Sequence, residues 1–226
     1  MSGQSRVNQE SVLDRRGGWW IGGLAALVVL GLALLIVRAW PPLLESDLRI
    51  DVAVHGWALR NAWAVRAAEV LQTVGGFRVS FWVTAVTTVL LLVARRWWSA
   101  LTLVVLAAVA PLITDWIKPV VGRARPVWEQ SLGSEVTLSY PSGHATAGIA
   151  VYAAAGLALG SLLRDATLGA VVATAGILLG VAIGLSRLVL GVHWPSDVVG
   201  GWCVALAVAG VASALFVLPP PHAKER

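Results

Sequence analysis

The chain predicts an all-α fold: a polytopic membrane protein, built as a bundle of six transmembrane helices with one helical segment lying along the bilayer surface. Three observations lead there. Of 226 residues, 58% are hydrophobic and only 13% charged, with a mean hydropathy of +0.78, which is too apolar for an ordinary soluble domain. Apolar runs recur along the chain, each close to the roughly 20 residues a helix needs to cross a bilayer. Charged residues gather at the ends of those runs, so the net charge of +5 forms no basic face for nucleic acid. The single cysteine, Cys203, lies in an apolar run, so no intramolecular disulfide can form and nothing about redox compartment follows.

Residues 1–18 are polar, carry Arg6, Arg15 and Arg16, and read as a disordered cytoplasmic tail. The first span is 19–37. A cleaved signal peptide competes for this stretch, but Arg38, Trp40 and Pro41-Pro42 stand where a small-residue cleavage site belongs, so the span reads as uncleaved. Residues 45–76 interleave Asp47, Arg49, Asp51, Arg60, Arg66 and Glu69 with Val, Leu, Trp and Ala, which suits a helix along the membrane surface that ends at Gly75-Gly76. Interfacial packing, rather than contact with substrate, is the role expected of it.

The second span, 77–94, joins the third, 99–117, through Arg95-Arg96 and the belt residues Trp97-Trp98, and Pro111 is placed to kink the third. A polar loop, 120–140, leads to the fourth span at 144–163, followed by the fifth at 168–185 and the sixth at 198–217. Glycines at four-residue spacing, Gly156 and Gly160 in the fourth span and Gly176, Gly180 and Gly184 in the fifth, give each a bare ridge for close packing. Residues 19–218 thus form a single membrane domain, and 219–226 a second, basic cytoplasmic tail. Lys and Arg totals nearly balance across the membrane, but Arg15, Arg16, Arg95, Arg96, Arg164, Lys224 and Arg226 flank short connections on the cytoplasmic side, which places both termini inside.

Polar clusters beside such apolar runs point to a site. Asp197 follows His193 by four residues, so a helix opening at Trp194-Pro195-Ser196 brings the carboxylate to the face carrying the imidazole, an orienter beside a base or nucleophile. Arg187, six residues upstream, offers a forked cation suited to phosphate oxygens. A second cluster joins Lys118 to Arg125-Pro126, with Asp115 three residues before Lys118 and able to pair with it. The third is Pro141-Ser142-Gly143-His144, where Ser142 and Gly143 open the fourth helix and its free amides can hold an anion. All three clusters flank connections on the extracytoplasmic side. Trp128 and Tyr140 in the intervening loop read as interface anchors, with headgroup contact as the other reading.

In order, K-x6-R-P at 118–126, P-S-G-H at 141–144 and S-R-x5-H-x3-D at 186–197 resemble the three-part signature of the type 2 phosphatidic acid phosphatase (PAP2) superfamily, which also holds the vanadium haloperoxidases. The resemblance covers 118–197, and the saturation with spans fits the family's membrane-embedded lipid phosphatase branch. It implies that His193 attacks phosphorus to form a phosphohistidine, that Asp197 orients it and that His144 protonates the leaving group. Lys118, Arg125, Ser142, Gly143 and Arg187 would then hold the phosphate. No metal or other cofactor is implied, because three cationic side chains take the place of a divalent ion. The function expected is a metal-independent integral membrane phosphatase of a bacterial-type plasma membrane. Its substrates would be lipid phosphates or diphosphates: phosphatidic acid, phosphatidylglycerol phosphate or undecaprenyl diphosphate. A lipid phosphotransferase using the same site, and a non-catalytic membrane protein, are the alternatives; the second requires a lost signature residue, and none is lost.

Overall fold

The computed structural model describes the backbone of residues 3–216 and the side chains of residues 16–215. Its helices are α1 (Gly3–Val37), α2 (Pro41–Ala58), α3 (Ala62–Gly75), α4 (Phe77–Val93), α5 (Trp97–Val121), α6 (Gly143–Gly160), α7 (Ala166–Val189) and α8 (Pro195–Phe216). No strand occurs among the described residues. Five helices are individually long and apolar enough to cross a membrane, and α3 and α4, bent by 55°, are together long and apolar enough for a sixth span.

Local chemistry sets many of the boundaries. Pro41 and Pro42 occupy the first positions of α2, where a missing N–H costs nothing. Asp165 caps α7 by accepting from the Leu168 amide at 2.9 Å. α5 runs on through Pro111 and Pro119 and stops at Gly122, whose φ of +65° supplies the left-handed terminus that a side chain would disfavour. The polar loop therefore begins at Gly122 instead of residue 120.

Three expectations change. Helical backbone begins at Gly3, so α1 runs through the stretch expected as a disordered tail, while its span-length apolar part is Arg16–Val37. The surface segment 45–76 is two helices instead of one: Asn61 Nδ2 donates to the Trp57 carbonyl at 2.8 Å, closing off α2, and α3 then runs on through Gly76 into α4. At 17 residues α4 is only about 25 Å long, and it reaches spanning length and apolarity only together with α3. The C-terminal tail, 219–226, lies outside the described residues.

The bundle is held by close helix contacts. Gly18 and Gly22 of α1 lie against Gly210 of α8. Val29, Leu106, Ala110, Ala150, Val204 and Val208 form a core joining α1, α5, α6 and α8. The expected glycine ridges meet: a Cβ on Gly156 would stand 2.8 Å from Gly176 Cα, and Gly180 faces Gly148. Gly184 departs from that ridge and makes room for the Trp202 indole. Hydrogen bonds then tie the loop after α5, the inner face of α2, the start of α6, the end of α7 and the start of α8 into one polar cluster.

Candidate active site

The imidazole of His193 is placed by a tight turn. α7 ends at Val189, Gly191 takes a φ of +65°, and the Val192 amide donates back to the Arg187 carbonyl at 3.1 Å. Trp128 braces this turn: its indole N–H donates to the Gly191 carbonyl at 3.1 Å and its ring stacks on His55 at 4.3 Å. α8 then opens at Pro195. Asp197, in its first turn, reaches back to the Trp194 amide at 2.9 Å, as an acidic residue of a capping box does. The same oxygen, Oδ2, accepts from the Ser139 hydroxyl and lies 3.4 Å from His193 Nδ1. Catalytic hydrogen bonds of this length are common before substrate binds. Burial of His193 pushes its imidazole down to about 4 against the pull of Asp197, so the ring is neutral at ordinary pH.

The other ring nitrogen, Nε2, accepts from Arg125 Nη1 at 2.9 Å. An arginine only donates, so Nε2 carries the lone pair and Nδ1 the proton, directed at Asp197. Arg125 is fixed by Nε to the Thr137 carbonyl at 2.6 Å and by Nη1 to the Val192 carbonyl at 2.6 Å.

Behind Asp197 lies a buried ion cluster. Arg123 donates through Nη1 to Asp197 Oδ1 at 2.8 Å and through Nη2 to Asp47 Oδ2 at 2.6 Å. Asp47 in turn accepts from the Ser196 amide at 2.9 Å and hydroxyl at 2.6 Å. α2 is thereby locked onto the N-terminus of α8. Three charged groups this deep persist only because each is paired and further hydrogen-bonded.

On the far side of the site, Arg187 is fully buried and donates to Gln72 Oε1 at 2.5 Å and to Glu135 Oε1 at 2.7 Å. His144 Nε2 lies 3.2 Å from the Gln72 carbonyl, an acceptor only, so that nitrogen bears the hydrogen. Arg187, Glu135 and His193 are all near enough to act electrostatically on His144. Ser142 caps α6 through a 3.5 Å contact with the Ala145 amide, while its own amide donates to the Asp197 carbonyl at 3.0 Å. The space over Gly143 is open, and with His144 it forms one end of a cavity of about 520 Å³ running between α4, α5 and α6 past Phe77, Phe81, Val104 and Pro111.

Of the residues singled out by sequence, His193, Asp197, Arg125, Arg187, His144, Ser142 and Gly143 thus converge. Lys118 stands apart, bonded at 3.1 Å to Asp115, the partner expected for it. Tyr140 is fully buried and donates to the Val29 carbonyl at 2.8 Å, so it ties the loop to α1 and is no interface anchor. Trp128, half-buried, braces the His193 turn. The segment assigned to interfacial packing instead supplies Asp47 from the inner face of α2 and Gln72 from α3, while Arg49, Arg60, Arg66 and Glu69 stay exposed.

Sequence reasoning missed Arg123, Ser139, Asp47, Ser196, Gln72 and Glu135. Two signals were present: Arg123 shares an R-x-R with Arg125, and Asp47, Asp51 and His55 stand at one-turn spacing on a single face of α2.

Comparisons with known proteins bear on the fold and the family. A crystal structure of a transmembrane PAP2-type phosphatidylglycerolphosphate phosphatase from Bacillus subtilis matches with a TM-score of 0.77, at 22% identity, over 87% of this chain and 96% of that one. At that identity the likeness carries the fold. No curated protein matches the chain. The family model described as the PAP2 superfamily matches residues 99–218, a segment that holds all three motifs from Lys118 to Asp197, and the chain belongs to that superfamily.

Proposed function

We propose that this protein is a membrane phosphatase that hydrolyses lipid phosphates or diphosphates through a phosphohistidine on His193. The observation that carries the reading is the pairing of His193 Nδ1 with Asp197 while Nε2 keeps its lone pair under the Arg125 guanidinium. A phosphoryl group entering there takes the Arg125 donors in place of Nε2 and presents phosphorus to the freed lone pair. The N–P bond forms as the P–O bond to the lipid breaks. His144, doubly protonated with Nε2–H held by the Gln72 carbonyl, gives its Nδ1 proton to the departing oxygen, and then takes one there from the water that attacks the phosphohistidine, releasing phosphate and restoring His193. Arg187 and the amides at the start of α6 balance the oxygens whose charge shifts. Lys118, bonded to Asp115 at 3.1 Å and apart from these groups, serves as a third cation once phosphate draws it off that carboxylate.

The lipid character rests on the cavity. Its apolar walls lead from between α4 and α5 to His144, so an acyl or prenyl chain lies along the helices with its phosphate at the polar cluster. Phosphatidic acid, phosphatidylglycerol phosphate and undecaprenyl diphosphate all have that shape. Short-loop cations favour a site on the extracytoplasmic face of a plasma membrane.

The test is a panel of these lipids in detergent micelles, with EDTA present, followed by rapid quenching. Phosphate release should persist in EDTA, and labelled enzyme should carry a base-stable, acid-labile phosphate on His193. Label trapped on His144, or magnesium-dependent activity, would overturn the mechanism.

A further inference from the structure

Asp47, Asp51 and His55 follow one another along the inner face of α2, and all three are buried. Asp47 is spent on Arg123 and Ser196. Asp51 has no such outlet: it is 0% exposed, and neither of its oxygens finds a hydrogen-bond partner among the described residues. A carboxylate left so would be among the costliest groups a protein can bury, whereas a neutral carboxyl is tolerable. Its surroundings add to the cost. The charged and titratable groups around it are Asp47 and His55 on α2, Arg123 in the loop, and Asp197, bonded to His193, on α8. Three carboxyl groups therefore share one guanidinium whose donors already serve Asp197, Ser196 and Asp47. Burial first, then the charges of Asp197 and Asp47, push Asp51 up to about 7 against the opposing pull of Arg123.

We propose that Asp51 is a positioning residue for phosphoryl transfer: a neutral carboxyl whose retained proton leaves Arg123 to Asp197 and Asp47, and whose ionisation draws Arg123 away and loosens the hold of Asp197 on His193. This rests on the phosphatase reading. A raised value means that the neutral form holds below about 7 and the charged form above it, so the rate falls as pH rises through that point. The added negative charge also repels an incoming phosphate, in the same direction.

The experiment measures kcat/KM against pH for phosphatidic acid in mixed micelles. Wild-type protein should lose up to about tenfold per pH unit on the alkaline side, the slope of one essential proton. Asp51→Asn, whose amide is always neutral, should keep the acid-side rate within about threefold and lose the part of the fall that Asp51 sets, leaving only that of the acid His144. An identical limb in the variant, or a wild-type rate that rises with Asp51 ionisation, overturns the proposal. Should Asp51→Asn fail to fold, infrared spectra of wild-type protein carrying ¹³C-labelled aspartate carry the test. A protonated aspartate band should be present at pH 5 to 6, where ordinary aspartates are ionised, and should vanish by pH 9. Absence of that band overturns the inference alone, whereas a titrating band in a protein that hydrolyses none of the lipids overturns the phosphatase reading and this role together.

Discussion

The His193 turn and the α2–α3 segment meet over one ion cluster, yet the first is assembled by neighbours in sequence and the second by partners far away. Asp197 reaches Trp194 and His193 three and four residues back, so the geometry follows from opening a helix at Pro195. Asp47 meets Ser196 across 149 residues, and Gln72 meets Arg187 across 115. α2 is amphipathic in reverse: Leu48, Ile50 and Val52 are exposed while Asp47, Asp51 and His55 face inward. In water such a helix would be inside out. Beside a bilayer, the polar stripe marks the protein interior, where ionisable groups are retained for function.

Chemistry at the turn should give the largest effects. His193→Ala is expected to remove turnover, a loss of more than about 10⁴-fold, because no other lone pair stands at that position. His144→Ala should lose much less on an aryl phosphate with an acidic phenol than on a phospholipid, since a good leaving group needs no proton. Steady-state rates on both substrates for both variants check this. Equal losses on both substrates for His144→Ala would show that it does more than protonate.

The supporting segment should matter less, but measurably. Asp47→Asn leaves Arg123 with one carboxylate where it had two and weakens the tie between α2 and α8. Breaking a buried pair this way costs about 3 kcal/mol of stability. We expect a lowered thermal unfolding midpoint in detergent and a loss of turnover of about tenfold. Combined with Asp197→Asn the losses should be less than additive, because both act through Arg123. Additive losses, or none, would return α2 to plain packing.

The contrast also explains what the chain revealed before its structure. The spans and the glycine contacts of α6 with α7 were legible because each rests on a local period, and the meeting of Arg125, His144, Arg187, His193 and Asp197 was expected from three motifs that flank connections on one side and resemble the PAP2 signature. Asp47 and Gln72 were not: their meaning depends on which way α2 and α3 face, and the charges of 45–76 suit a surface helix as well as an inward one. Tyr140 misled for a related reason. An aromatic residue in a loop beside a span reads as a belt residue until the Val29 carbonyl is seen to accept its hydroxyl. Arg123 was hidden by its neighbour, Arg125, which carried the signature.

Gln72 offers the finest distinction, because its two polar ends do different work. Its side chain accepts from Arg187, while its main-chain carbonyl accepts from His144. Gln72→Ala removes only the first. Arg187 keeps Glu135 at 2.7 Å, so the guanidinium stays paired but is free to tilt. A hydrogen bond to a charged group is worth about 1.5 kcal/mol at the low end, but the phosphate recovers part of that by taking the vacated donor. The expected result is a KM raised by about threefold to tenfold with kcat nearly unchanged, the pattern of an interaction that serves bound substrate and transition state alike. A fall in kcat with KM unmoved would mean that Gln72 aligns Arg187 for the transition state itself. The α2–α3 segment would then share in the chemistry on the same footing as the His193 turn.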